Sequence, residues 1–234
     1  MKSRPSYLLV ASLILFGGSF AKAEQPPDIV AVEHEPRHMI AFENAAVRVF
    51  HTKIPSGYTT LYHRHSRDSI YVQIAGSTNL VNQMLGEPGQ PLSMKPGDVF
   101  FAAHSKIPRV HRITNLGAEE YVVLDIELIS NSPFANTPLA ALRGQQMPVI
   151  ENDRVRVSRI LLEPGESVAF PASPALPRLL AVLGGSRLGI AGDSGEIQKI
   201  AVVPGWFYAR NDSPLRSISN NGKDRLELVE IEIR

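Results

Sequence analysis

Two stretches of this chain repeat one another, and that repetition limits the folds open to it. Residues 43 to 57 lie over residues 151 to 165 at an offset of 108. Glu43-Asn44 falls on Glu151-Asn152, and Val47-Arg48-Val49 on Val155-Arg156-Val157. Gly57 then meets Gly165, Gly76 meets Gly184, and Pro96-Gly97 meets Pro204-Gly205. Toward the ends the offset drops to 105: Asn115 meets Asn220, Gly117 meets Gly222, and Val123 to Leu128 meets Leu228 to Ile233. A three-residue insertion in the first copy, close to His104 to Arg109, accounts for the change. A chain built twice from one unit is expected to fold as two similar bodies, and its length suits that.

Each unit reads as strands and tight turns. Val47 to Ile54 is rich in branched and aromatic residues and ends at Pro55-Ser56-Gly57, where glycine makes a turn easy. Further strands are expected at Ser69 to Ala75, Val99 to Ala102 and Tyr121 to Ile129. In the second copy they are expected at Val155 to Leu162, Leu179 to Leu183, Ile200 to Val203, Trp206 to Tyr208 and Leu226 to Ile233. Beyond residue 23 no stretch keeps a helical period over three turns; residues 138 to 143 suit at most one short turn of helix. Short strands punctuated by Gly and Pro predict an all-β molecule of barrels or sandwiches. Asn131 to Gln146, with Pro133 and Pro138, reads as the connection between the copies.

The first 23 residues read as an export signal. Lys2 and Arg4 form a basic end, Ser6 to Ala21 is uncharged, and Ala21-Lys22-Ala23 offers the small-x-small pattern for cleavage. Sixteen uncharged residues fall short of the ~20 that span a bilayer, so no stable membrane insertion is expected after cleavage. The expected location is the periplasm or the exterior. With no cysteine in the chain, each core must close by packing alone. Removing residues 1 to 23 takes away Lys2, Arg4 and Lys22 and no acid, so the formal charge of +1 becomes −2. That balance gives no reason to expect a nucleic-acid partner.

All seven histidines precede residue 112. His63 and His65 are one residue apart, so a strand presents both imidazoles on one face. His111 follows the Pro96-Gly97-Asp98 turn, on a segment with room to fold back beside them. Together they form a candidate metal site: imidazole suits zinc, copper, nickel and iron. His104 is a reserve ligand, since the insertion after it loosens the local alignment. The second copy has Pro171, Ser173 and Arg216 where the first has His63, His65 and His111, and arginine has no lone pair to give a metal. That copy is expected to be structural, although a metal-free small-molecule pocket inside it stays open.

These residues resemble those of the cupin superfamily, in its two-domain, bicupin form. Gly57, His63, His65 and Gly76 match the first cupin motif, with Ser69 where the motif has glutamate. Gly97, His111 and Asn115 match the second, with Ala103 and Ser105 in place of its proline and glycine. Gly205, Asn211, Ser213, Arg216 and Asn220 keep that spacing in the second copy. The resemblance implies two tandem double-stranded β-helix (jelly-roll) barrels: residues 30–130 as a metal-binding cupin domain and 147–234 as a degenerate one. It also implies His63, His65 and His111 as ligands of one divalent metal ion. Zinc is the first expectation, with iron, nickel, manganese or copper open.

Without a glutamate at Ser69 the ligands are neutral, which favours Lewis-acid chemistry and hinders a step needing a carboxylate base. Alternation from Ser69 places Tyr71 and Gln73 toward the site and Asp68 away from it. Arg109 can sit at the barrel mouth and grip an anion at two points, while Arg64 should face solvent. Phe100, Phe101, Leu124 and Ile126 are expected in core or inter-barrel packing. The functional expectation is a metal-dependent enzyme of oxygenase or isomerase type, dioxygenase-like, acting on a small oxygen-rich molecule. The alternative is a non-catalytic periplasmic protein that binds a metal or metabolite, and a purely structural or partner-binding role is a third. Cupins often pair sheet edges, so a homodimer is a further expectation of the resemblance.

Overall fold

The computed structural model describes residues 27–129, 141–142, 144–171, 177–210 and 215–234. The export signal, most of the connection between the copies, Ser173, Asn211 and Ser213 lie outside the described residues. So does most of the expected helical turn at 138 to 143; its described residues, 141 and 142, are not helical.

Ten strands form in the first half. They are β1 (Ile29–Ala31), β2 (His38–Glu43), β3 (Val47–Ile54), β4 (Tyr62–His65), β5 (Ser69–Ala75), β6 (Leu80–Met84), β7 (Gln90–Leu92), β8 (Val99–Ala102), β9 (Arg109–Asn115) and β10 (Tyr121–Leu128). Nine follow in the second: β11 (Gln146–Glu151), β12 (Val155–Leu162), β13 (Ser167–Ala169), β14 (Arg178–Gly184), β15 (Arg187–Ala191), β16 (Ile197–Ala201), β17 (Phe207–Arg210), β18 (Ser217–Asn220) and β19 (Leu226–Ile233). A short 3-10 turn, Val32–His34, links β1 and β2. No helix of the described residues is long and apolar enough to cross a membrane.

In the first half, β1-β4-β9-β6-β7 form one sheet and β2-β3-β10-β5-β8 the sheet facing it. The second half repeats this as β13-β18-β15-β16 and β11-β12-β19-β14-β17. Apart from the hairpins β2-β3, β6-β7, β11-β12 and β15-β16, sequence neighbours within each half lie in different sheets, which is the jelly-roll winding of a double-stranded β-helix. The repeat extends to individual hydrogen bonds. Asn115 donates to the Ile54 and Glu119 carbonyls and accepts from Gly117, while Asn220 donates to Leu162 and Asp224 and accepts from Gly222.

One equivalence in the sequence alignment shifts. The counterpart of Gly76 is Gly185 rather than Gly184, because these two share a positive φ, +88° and +104°. At Gly76 an added Cβ would lie 1.6 Å from the Glu120 carbonyl oxygen, and at Gly185 3.3 Å from that of Arg225. Consistently, Ser69 of β5 and Arg178 of β14 face Glu127 and Glu232 in matching registers. The second copy is therefore one residue longer just before β14.

The strands of β3, β5 and β10 are buried on both faces. One face carries Val47, Val49, Ile70, Val72, Leu124 and Ile126, which pack against Val155, Val157, Leu179, Val229 and Ile231 of the other barrel. The opposite faces look into the barrels, and there the copies differ. Barrel two fills its interior with aliphatics, among them Ile160, Leu162, Leu180, Leu188 and Leu228. Its remaining polar groups close on themselves: Arg178 pairs with Glu230 and Glu232, Arg156 with Glu232, and Gln146 donates to Glu230. A buried guanidinium thus neutralises the carboxylates. Barrel one has a smaller apolar cluster, Ile54, Leu80, Ile113, Tyr121 and Val123, and beside it a cavity.

Candidate metal centre

β4 is short, and its alternation sends His63 and His65 inward while Arg64 is exposed, as the sequence predicts. β9 runs antiparallel beside it, with His63 directly opposite His111 and His65 opposite Arg109. Cross-strand neighbours of this kind are close enough for their side chains to meet. A fourth imidazole, His38, arrives from β2 in the facing sheet. Its ring centre lies 4.5 Å from that of His63. His63 is 5.0 Å from His65 and 4.7 Å from His111, and His65 is 5.2 Å from His111. Ligand atoms of His38, His63 and His65 all lie within 4.8 Å of one another. The rings of the trio expected from sequence are gathered in one place, but the set with mutually close ligand atoms is His38, His63 and His65, with His111 beside it.

The outer nitrogens of these rings are held or faced by oxygen. His38 Nδ1 meets Glu35 Oε2 at 2.8 Å, His63 Nδ1 the Leu61 carbonyl at 2.9 Å, and His111 Nδ1 Asn82 Oδ1 at 2.7 Å. A carbonyl only accepts, so His63 carries its proton on Nδ1 and keeps a lone pair on Nε2. The Nε2 atoms of His63 and His111 are buried with no hydrogen-bond partner. His65 Nδ1 faces the Tyr71 hydroxyl at 3.3 Å and Asp125 Oδ2 at 3.6 Å. Oxygen behind each imidazole is the usual support of a metal ligand, and orphaned inward nitrogens are donors awaiting an acceptor. The donor set fits one divalent metal ion.

The electrostatics agree. Burial, followed by the neighbouring His38, pushes His63 down to about 4. Burial first and adjacent imidazoles second hold His65 and His111 well below the ordinary range. All three are neutral at pH 7, as metal ligation requires. Burial opposes ionisation of Glu35, but hydrogen bonds from His38 and from the Arg37 N–H keep its carboxyl below the usual value. Asp125 is fully buried with neither carboxylate oxygen hydrogen-bonded. Burial, then Glu127, lifts it well above the carboxylate range.

The histidines line a cavity of about 110 Å³, shared with Tyr71, Asn82, Met94, Phe100, Arg109 and Tyr121 among others. Of the sequence candidates, Tyr71 and Arg109 reach this space. Gln73 does not line it; its amide donates to the Ser77 carbonyl. Asp68 binds Ser105 and Arg154, the Ser69 hydroxyl donates to Arg67 O at 3.3 Å, and His104 touches Tyr71 from outside the lining. Phe100 corrects an expectation: it stacks on Tyr71 at 4.5 Å between ring centres and lines the cavity. Phe101, Leu124 and Ile126 lie in the inter-barrel core as expected.

Several solved structures share the fold of this chain at low sequence identity. AerE from Microcystis aeruginosa superposes with a TM-score of 0.58 at 16% identity, over 86% of this chain and 98% of that one. The nickel(II) complex of the bacterial pirin YhhW from Escherichia coli gives 0.56 at 16%, over 83% and 89%. A cupin 2 conserved barrel domain protein from Leptotrichia buccalis gives 0.52 at 12%, over 84% and 88%. The fold is that of a bicupin. No family model matches the sequence, and no curated protein is detectably similar to it. The second barrel, with Gln146, Pro171 and Arg216 at the positions of His38, His63 and His111, gathers no comparable cluster among the described residues.

His38, Glu35, Asn82 and Asp125 were not singled out from sequence. The crowding of every histidine before residue 112 is one pointer to His38, and an acid three residues before it, at Glu35, is another.

Proposed function

We propose that this bicupin is a metal-dependent enzyme of oxygenase or isomerase type that acts on a small, oxygen-rich molecule. The observation carrying this reading is the set of four buried imidazoles, oxygen-backed at Nδ1, around one cavity. His38, His63, His65 and His111 are the proposed ligands. Glu35 stands behind His38 and supplies the negative charge that Ser69 does not, while Asp125, kept protonated by burial, stands behind His65. Zinc is the first choice of metal, because intrinsic affinity favours it and copper over iron and manganese in a protein whose export would expose it to metals outside the cytoplasm. Iron, nickel, manganese and copper remain alternatives. A divalent ion here supplies Lewis acidity and a more acidic bound water.

The chain's own groups do the rest. Tyr71 keeps its proton, since burial and then Asp125 hold its phenol well above 10, so it can donate a hydrogen bond inside the cavity. Arg109 lines the same space, and its charge adds to burial in lowering His104; it can bind an anionic group of the substrate. Leu92, Met94, Phe100 and Ile113 make the remaining wall apolar and exclude water. Solved structures of similar fold include Bacillus subtilis oxalate decarboxylase, with its Mn(II) centres, and a salicylate 1,2-dioxygenase from Pseudoaminobacter salicylatoxidans. Both support a small-molecule substrate.

A second reading, a binding protein without turnover, is favoured by one feature. No carboxylate lines the cavity among the described residues. Loading metal-free protein with each candidate metal, then following oxygen uptake and isomerisation across small enolic and carboxylic compounds, separates the two. Turnover that disappears in His63→Ala supports the enzyme. Full metal loading with no turnover across the panel supports the binding protein.

A further inference from the structure

Barrel two contributes no imidazole, yet one of its side chains is tied to the metal site through barrel one. The insertion that makes the first copy three residues longer forms a tight turn, with Lys106 and Ile107 N–H groups both donating to the Ala103 carbonyl. This turn carries His104 and Ser105. The Ser105 backbone N–H and hydroxyl both donate to Asp68 Oδ1, at 3.0 and 2.6 Å. The other oxygen of Asp68 accepts from Arg154 of barrel two at 2.8 Å. Asp68 is buried, so its charge is held by these partners rather than by water.

From the turn the contacts continue inward. His104 Nε2 lies 3.1 Å from the Tyr71 hydroxyl, which lies 3.3 Å from His65 Nδ1. The His104 ring also stacks on His65, with centres 5.2 Å apart and planes 29° apart. An unbroken chain of contacts therefore runs Arg154, Asp68, Ser105, His104, Tyr71, His65.

The repeat does not explain this chain. The counterpart of Arg154 in the first copy is Ala46, and that of Asp68 is Pro177. The latter match is fixed by Leu128 N–H donating to the Asp68 carbonyl and Ile233 N–H to that of Pro177. The three inserted residues also have no counterpart in the sequence of the second copy. Three features special to one copy each meet at a single carboxylate.

We propose that Arg154 is a positioning residue: through Asp68 it fixes the inserted turn, and the turn sets His104 and Tyr71 against His65. Barrel two thereby controls the orientation and tautomer of one imidazole of the site. The naming of His65 as a metal ligand rests on the function proposed above, but the positioning itself does not need a metal.

The test uses the full, metal-free chain with ¹⁵N-labelled histidine. Two-bond nitrogen–proton correlations report the tautomer of each ring. The account predicts that Arg154→Ala and Asp68→Asn each abolish the single-tautomer patterns of His104 and His65, and that the double variant adds nothing further. Arg234→Ala, which removes another barrel-two arginine paired with Glu151, should leave both patterns intact. Asp68→Asn is nearly isosteric and serves if Arg154→Ala does not fold. Unchanged His104 and His65 patterns in either folded variant overturn the proposal. Because this readout contains no metal, a protein that fails to bind metal sinks the functional reading without touching this one, and the reverse holds equally.

Discussion

At the scale of residues, the support behind each imidazole matters as much as the imidazole. His111 takes its orientation from Asn82 Oδ1 at 2.7 Å. Replacing Asn82 by Leu keeps the bulk and removes the acceptor, so metal affinity should fall ~10- to 100-fold, measurable by competition titration with a chelator. The neutral state of the rings sets a pH dependence. His63 is depressed from 6.5 to about 4, so below pH 6.5 the unfolded chain binds a proton that the folded one refuses. In metal-free protein its contribution is intact above 6.5, declines as pH falls, and levels off below about 4. Denaturant titrations should show His63→Asn gaining on wild type between pH 7 and pH 4, by ~3 kcal/mol; a constant gap would show that His63 is not buried neutral. His63, His65 and His111 were readable because strand parity and motif spacing are local properties. Asp125 was not, because its approach to His65 depends on how β10 faces β4 across the barrel. Phe100 was misread since β8 is partly buried throughout, and sequence cannot say which of its faces meets a cavity.

At the scale of elements, glycines with positive φ fix where strands turn. Gly76→Ala would place a methyl group on the Glu120 carbonyl, whereas at Gly57, also with positive φ, nothing lies within 4 Å. Gly57→Ala should therefore cost only the ~1–2 kcal/mol of left-handed backbone, and Gly76→Ala clearly more, as read by thermal unfolding. The long strands β3, β5, β10, β12 and β19 were legible because branched residues run without interruption. β2 was not. It is an edge strand with Met39 and Ile40 exposed and a bulge between Ile40 and Phe42, so its alternation is broken and His38 went unplaced. The shift from Gly184 to Gly185 has a similar cause. Two adjacent glycines leave the alignment undecided until backbone angles choose between them.

At the scale of the molecule, two barrels share one apolar interface, and barrel one keeps a histidine-lined cavity inside. Leu124 and Ile126 of barrel one and Val229 and Ile231 of barrel two are fully buried in that interface. Ile126→Ala should cost ~2–5 kcal/mol, and both barrels should still unfold in one transition; two separated transitions in calorimetry would show that the barrels do not depend on each other. The division of labour follows from filling: aliphatics and the Arg178 ion pairs occupy barrel two, while barrel one leaves its histidines facing space. The repeat made this architecture visible in the sequence, and the loss of histidine from the second copy indicated which barrel to inspect. The most direct test is metal content by mass spectrometry after loading and dialysis, comparing wild type with His38→Ala, His63→Ala, His65→Ala, His111→Ala and Arg216→Ala. The account predicts one ion per chain in wild type and Arg216→Ala and strongly reduced occupancy in the four histidine variants. Equal occupancy in all six proteins, or none in wild type, would contradict it.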